Sequence, residues 1–227
     1  MNDEKSISVI VRLRNEERWI GHAIQSILDF LYKPEIIVIN NNSSDDSIQI
    51  VKRFSEDKNL KDNNSRNYTD INVINIDEYT PGKSINLGVK NAKNDYILVM
   101  SAHCVLKKID LGKLINDSEK YVAIFGNQIP IWEGKKIVKR YLWSHFKNDE
   151  VVNMFSENEN RYFFHNAISF FKKEFLLANI FDEQIQSKED RYWAADMINK
   201  NHKILYDPSL EVEHHYTKNG ATWKGLG

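Results

Sequence analysis

The sequence predicts an α/β protein with one mostly parallel sheet flanked by helices. Three observations predict it. Short β-branched apolar runs recur at Ser8–Leu13, Glu35–Ile39, Ile71–Ile76 and Tyr96–Met100. The stretches between them place apolar residues three and four apart, the spacing of one helical face. The resulting β-α-β-α-β-α-β order needs crossover connections, which sandwich a parallel sheet between helices.

Each element has its own reason. Ser8–Leu13 (SVIVRL) is apolar on both faces, as in a buried parallel strand. Trp19, Ile20, Ala23, Ile24, Ile27, Leu28 and Leu31 share one helical stripe, which Lys33-Pro34 ends. Glu35–Ile39 is the second strand. The polar stretch Asn40–Asp46 carries Ser and Asp residues suited to cap a helix over Asp46–Phe54. Ser55–Thr69 is polar and aperiodic, which predicts a surface loop. Ile71–Ile76 is the third strand, Lys83–Ala92 a helix and Tyr96–Met100 a fourth strand. Beyond these, Asp110–Lys120 and Asp190–Asn201 read as helices, Tyr121–Phe125 and Ile204–Tyr206 as strands, and Phe163–Phe171 as an aromatic, strand-like run. Lys135–Asn160 is mixed and charged, and is expected to be a mobile loop that closes on a substrate. No repeat or linker divides the chain, so a single domain over 1–227 is expected.

Composition removes several classes. The chain of 227 residues is 41% hydrophobic, enough to build a core, so overall disorder is excluded. Its 31 Lys and Arg nearly cancel its 32 Asp and Glu, which excludes a generic nucleic-acid binder. A single cysteine, Cys104, excludes an intramolecular disulfide and a cysteine zinc finger, and fits a reducing compartment. It follows a buried strand and reads as a small core residue. No run approaches the roughly 20 apolar residues of a spanning helix. A soluble cytoplasmic protein is expected, free or resting on the inner face of the membrane. The tail Trp223–Gly227 reads either as a membrane or partner contact or as a frayed end.

Two motifs are decoys. Gly82-Lys83-Ser84 resembles the end of a phosphate-binding P-loop, but that motif needs glycine at 77, which is Asp77. No G-x-G-x-x-G follows the first strand, which argues against dinucleotide binding.

A longer ordered set is not a decoy. SVIVRLRNEERWI, INNNSSDDS, GKSINLGVKNAKNDYILVM and FDEQIQSKED succeed one another at spacings that resemble glycosyltransferase family 2, over about Ser6–Tyr216. The resemblance implies a GT-A fold, a single Rossmann-like sheet with a nucleotide-sugar-binding half (1–105) and an acceptor-binding half (106–227). Three positions depart from the family pattern. Ser101-Ala102-His103 stands where the family has its metal-binding Asp-x-Asp. Asn40 replaces the first Asp after the second strand, and Arg12-Leu13-Arg14-Asn15 replaces P-T-Y-N. These departures resemble a subgroup that reads I-R-x-x-N-E-E-R-W, S-A-H, G-x-Q-x-P (here Gly126, Gln128, Pro130), E-D-R-x-W-A and H-x-H-Y or similar, where this chain has His214-His215-Tyr216. Members of that subgroup are mostly assigned to cell-surface polysaccharide assembly.

The resemblance implies an inverting transfer of a sugar from a nucleotide-sugar to a glycan or lipid-linked glycan acceptor. An alcohol ionises far too weakly at neutral pH to attack unaided, so a carboxylate base is needed. Asp190 is the candidate and Glu189 the runner-up, although both would also suit the start of the Asp190–Asn201 helix. Arg12, Asn15, Glu16, Asn40, Asn41, Lys83, Ser101, His103 and Arg191 are expected on the donor. Arg12 and Arg14 leave the first strand on one face as phosphate or ribose contacts, or as ion-pair partners of Glu16 or Glu17, and Arg191 could equally pair with Asp190 or Glu189 as scaffold. Trp193 and Asn166 are expected on the acceptor.

The leaving diphosphate needs positive charge, and two accounts stand. One is metal-free, with Arg191, Lys83 and Arg12 on the phosphates and a hydrogen bond from His103. The other places a divalent ion, Mn²⁺ rather than Mg²⁺, on His103 with His214 or His215. Two other classes remain open: a sugar nucleotidyltransferase, which predicts a glycine-rich basic loop that RLRNEERW lacks, and a non-catalytic nucleotide- or glycan-binding protein.

Overall fold

A computed structural model describes residues 6–57, 69–220 and 222–223. Most of the loop expected over Ser55–Thr69, and most of the tail from Trp223, lie outside the described residues.

Four parallel strands form the first half of the sheet: β1 (Ile7–Leu13), β2 (Glu35–Asn40), β3 (Asp70–Asn75) and β4 (Tyr96–Ser101). β1 and β2 lie inside the sheet, and Val9, Ile10, Val11 and Ile36–Ile39 are fully buried. Each such side chain contributes about 1.5–3 kcal/mol through burial. Helix α1 (Ile20–Phe30) turns Ile20, Ala23, Ile24 and Ile27 onto one face of the sheet and ends before Lys33, whose φ is +44°. Helix α2 (Ser47–Glu56) follows β2. Helix α3 (Pro81–Asn91) starts at Pro81, and the Thr80 hydroxyl caps it by accepting from Lys83 N at 3.1 Å. The glycines of that segment are packing glycines. A Cβ on Gly88 would stand 2.6 Å from Ile10 Cγ2, and one on Gly82 would stand 2.4 Å from the Asp182 carbonyl oxygen. The P-loop-like Gly82 thus lets α3 meet the chain at Asp182.

The second half completes one sheet in the order β3-β2-β1-β4-β11-β6-β12-β5. Its strands are β5 (Cys104–Lys108), β6 (Ala123–Trp132), β11 (Ile168–Lys172) and β12 (Ile204–His215). β11 runs antiparallel to both β4 and β6, whereas β12 is parallel to β6 and antiparallel to β5. The short strands β7 (Lys135–Lys136), β8 (Val151–Val152), β9 (Phe155–Ser156) and β10 (Arg161–Tyr162) lie between β6 and β11. Helices α4 (Leu111–Asp117), α5 (Lys173–Ala178) and α6 (Glu189–Asn199) finish the fold. One apolar layer packs under α1 and α2, the other under α3 and α6. This mixed α/β sheet flanked by helices is the predicted fold class.

The structure departs from expectation in three places. The strand read as Ile204–Tyr206 continues to His215, because Leu210, Val212 and His214 alternate into the space between β6 and β5. Its register slips between Asp207 and Glu211, which hid the period. Cys104, expected as a core residue, is buried and opens a strand the sequence reading did not place. Lys135–Asn160 is anchored rather than free: it pairs β7 with β6 and β8 with β12, and it buries Trp143 in the core.

Sheets of this kind offer a crevice at the carboxyl ends of the strands where the strand order reverses. Here that is the edge formed by Leu13, Asn40 and Ser101. β6 and β12 point the same way, so His214 and His215 reach that edge as well. No helix among the described residues is long and apolar enough to cross a membrane.

Candidate active site

Helix α6 starts at the crevice with two acidic residues, Glu189 and Asp190, after Lys188 at φ +62°. Lys188 makes no side-chain cap, so the pair itself faces the positive end of the helix. Asp190 is fully engaged. Its Oδ1 accepts from Arg191 N at 2.9 Å; its Oδ2 accepts from Arg191 Nη1 at 3.0 Å and from Asn166 N at 3.3 Å. Burial alone would raise the Asp190 carboxyl, but the Arg191 charge, the Asn166 N–H and the Arg12 charge, among others, together outweigh it and hold the group below the usual carboxylate range. Glu189 goes the other way. Burial, and then the Asp190 charge, push it up to about 7, against the pull of Arg12. Two adjacent carboxyls are thereby separated into an ionised one and one poised near neutrality.

Two of the three cations expected on the diphosphate, Arg12 and Arg191, already have protein partners. Arg12 reaches Glu189 Oε1 at 3.4 Å and donates to the Asn166 carbonyl at 2.9 Å. Arg191 holds Asp190, donates to the Phe164 carbonyl at 2.7 Å and approaches Glu159 at 3.5 Å. Both guanidinium groups brace the acidic pair, Arg191 in the scaffold role that Asp190 and Glu189 offered it. Asn166 also belongs to the frame: it is buried, its N–H serves Asp190, and its Oδ1 accepts from Ser169 at 2.9 Å. Trp193, expected on the acceptor, packs in the core. It is 5% exposed, stacks on Phe181 at 5.0 Å and donates its indole N–H to the Asn179 carbonyl at 2.8 Å. Helical spacing turns Trp193 inward and leaves its neighbour Tyr192 exposed.

On the donor side, loops brace one another. Asn15, at φ +50°, accepts from Ser44 N at 2.7 Å, and Asn40 bonds Asn75 at 2.8 Å and accepts from Ser43 N at 3.1 Å. The Asn41 amide has no hydrogen-bond partner among the described residues, and neither has the exposed Arg14 side chain. Ser101 ends β4, with its N–H on the Ala167 carbonyl at 3.1 Å. Lys83 pairs loosely with exposed Glu78 at 3.3 Å. It borders an open hollow of about 360 Å³ lined by Asn75, Ile76, Asp77, Glu78 and Leu87. Asn41 and Arg14, and Lys83 with its loose partner, have capacity left for a ligand.

His103 meets His214, and not His215. Their Nε2 atoms lie 3.0 Å apart. His103 Nδ1 is 3.2 Å from Glu16 Oε1, which also accepts from Thr217 at 2.9 Å. His214 Nδ1 is 2.8 Å from Gln128 Oε1. His103, Cys104 and His214 have ligand atoms within 4.8 Å of one another. Burial pushes the Cys104 thiol well above its ordinary range, which keeps it neutral. Burial, and then the neighbouring histidines, hold His214 neutral. His215 alternates to the other side, where its ring stacks on Trp19 at 3.8 Å. Glu16 serves this histidine pair and carries a charge of the wrong sign for a phosphate. Gln128, His165 and Thr217 complete the cluster. The sequence showed Gln128 only as part of its G-x-Q-x-P pattern, and gave no signal for the other two.

The profile of glycosyl transferase family 2 matches residues 8–178, which is most of the chain. The chain belongs to that family. Curated relatives of this family 2 chain include the glycosyltransferase GlyA of Streptococcus pneumoniae, 24% identical over 196 residues, covering 85% of this chain and 23% of that protein. A poly-β-1,6-N-acetyl-D-glucosamine synthase of Staphylococcus epidermidis is 26% identical over 127 residues, covering 54% and 28%. The family 2 chain thus spans about a quarter of the length of these relatives. Among solved structures, Staphylococcus aureus TarS 1–349 in complex with UDP-GlcNAc superposes with a TM-score of 0.69 at 19% identity, over 96% of this chain and 61% of that one. GalNAc-T7 with UDP, GalNAc and Mn²⁺ gives 0.67 at 14% identity, over 97% and 45%. These likenesses carry the GT-A fold.

Proposed function

We propose that the chain is the catalytic domain of an inverting, hexosyl-type glycosyltransferase. It would move a sugar from a nucleotide-sugar, bound by residues 1–105, to a hydroxyl of a glycan or lipid-linked glycan held by residues 106–227, in surface polysaccharide assembly. The observation that carries this reading is the acidic pair at the start of α6, with Asp190 held ionised in a buried frame of Arg191 and Asn166. Asp190 accepts the proton of the acceptor hydroxyl as its oxygen bonds the anomeric carbon. The bond from that carbon to the diphosphate breaks in the same step, and the nucleoside diphosphate leaves with the electron pair. Glu189 orients the acceptor. Asn41, Arg14 and Lys83 hold the nucleotide over the ends of β1, β2 and β3. An acceptor on a lipid would bring the protein to the inner face of the membrane.

The family implies a divalent ion, and the residues present fit one. Two imidazole nitrogens converge while the opposite ring nitrogens are pinned on Glu16 and Gln128, the outer-shell pattern of metal-binding histidines. Nitrogen ligands without an Asp-x-Asp suit Mn²⁺ better than Mg²⁺. His103 and His214 would hold it, and when bound it supplies charge opposite the departing diphosphate. The engagement of Arg12 and Arg191 elsewhere favours this account over the metal-free one.

A thermal-shift panel of UDP, GDP, TDP and CMP, with MnCl₂ or with EDTA, tests the reading. One nucleotide should stabilise the protein, and more so with Mn²⁺. Stabilisation by none of them would overturn it.

A further inference from the structure

The histidine pair at the crevice is not held by its own strands alone. A chain of hydrogen bonds leads to it from a group whose polarity is not adjustable, the backbone N–H of Ala167. That N–H donates to His165 Nδ1 at 3.1 Å, so Nδ1 must be the acceptor and the His165 proton sits on Nε2, which faces Thr222 Oγ1 at 3.4 Å. The Gln128 atom lying 3.0 Å from the same Nδ1 must then be its amide nitrogen. That orientation turns Gln128 Oε1 to His214 Nδ1 at 2.8 Å, and an amide oxygen only accepts. The His214 proton therefore sits on Nδ1, and its Nε2 presents a lone pair to His103. Gln128 is fully buried, so no water competes for its amide. On the other side the Glu16 carboxylate, accepting from Thr217, takes the His103 proton onto Nδ1 in the same way. Two Nε2 lone pairs then face each other across 3.0 Å, an arrangement that a shared divalent cation resolves and that, without one, a second proton on His103 resolves against Glu16.

We infer that Gln128 and His165 are positioning residues that fix the tautomer of His214, so that its Nε2 lone pair, with that of His103, takes a divalent cation. The inference rests on the metal-assisted reading above and adds residues to it. A tautomer chosen from the backbone keeps the site ready before any cation arrives, and this removes an ordering cost from binding.

The test uses the intact chain and MnCl₂ alone. A long-range ¹H–¹⁵N spectrum of the metal-free wild type should show the His214 proton on Nδ1 and the His165 proton on Nε2. A Mn²⁺ titration followed by electron paramagnetic resonance should show Gln128→Leu binding about 10- to 100-fold more weakly than wild type. Gln128→Glu keeps an acceptor for His214 but sets a carboxylate against the His165 lone pair. It should keep Mn²⁺ affinity within about threefold while its Tm in EDTA falls. For Gln128→Leu, a purely structural Gln128 predicts a loss of Tm with unchanged affinity. A His214 proton on Nε2, or wild-type Mn²⁺ affinity in Gln128→Leu, overturns the inference. If Gln128→Leu does not fold, the tautomer of His214 in the wild-type spectrum still decides. A wild type that binds no Mn²⁺ removes the cation from the proposal, whereas nucleotide binding in EDTA would leave the transferase reading standing.

Discussion

Arg12 Nη1 stands 3.4 Å from Glu189 Oε1, joining β1 to the first residue of α6 across 177 positions of sequence. The same guanidinium donates to the Asn166 carbonyl, whose own N–H serves Asp190. One strand-end arginine thus links the donor half to the acidic pair.

Removing that arginine should unsettle the pair. Arg12→Met leaves a buried carboxyl without its cation, and Glu189 answers by holding its proton to higher pH. The expected cost is about 2–4 kcal/mol in urea unfolding at pH 8. Arg12→Met combined with Glu189→Gln should cost less than the sum of the two single variants. Strict additivity would mean that the two groups do not interact.

Asp190→Asn should reduce turnover by about 10²–10⁴-fold, because the acceptor hydroxyl loses its base. UDP-induced stabilisation should stay close to that of the wild type. Turnover that survives in this variant assigns the base elsewhere, and Glu189→Gln becomes the next variant to assay.

The sign of the Glu189 shift predicts a pH dependence of stability. Its folded value, about 7, lies above the ordinary 4.5. Between those values the folded protein binds more protons at this site than the unfolded chain, so its contribution is full below about pH 4.5 and is lost as pH rises through 7. Glu189→Gln removes that titration. Its Tm relative to wild type should therefore rise from pH 5 to pH 8. A constant difference across that range would count against the buried, proton-binding Glu189.

Trp193 should behave as a core residue. Trp193→Ala is expected to lose about 3–5 kcal/mol. Trp193→Phe keeps most of the packing and gives up the indole bond to Asn179, at about 1–2 kcal/mol. Acceptor KM in Trp193→Phe should be unchanged, and a several-fold rise would restore Trp193 to the acceptor site.

The sequence by itself determined the fold class and the family. Ile7–Leu13, Glu35–Asn40 and Tyr96–Ser101 are apolar on both faces, a pattern only a doubly covered parallel strand satisfies. Glu189 and Asp190 were legible as an acidic pair opening a helix, because that is a local property of charge and helix ends. Partner choice was decided only by tertiary structure. Arg12 and Arg191 could be read as phosphate contacts or as ion-pair partners, and the fold chose by bringing the Asn166 and Phe164 carbonyls and the acidic pair of α6 beside them. Trp193 and Tyr192 differ by one position, and packing against Phe181 selected which of them turned inward. His103 could have met His214 or His215. The register sets His214 opposite Cys104 and His215 beside His103, so the pleat alone would match His103 with His215; His103 precedes β5, in the turn after Ser101, and its ring lies on His214 instead, which no spacing along the chain reveals.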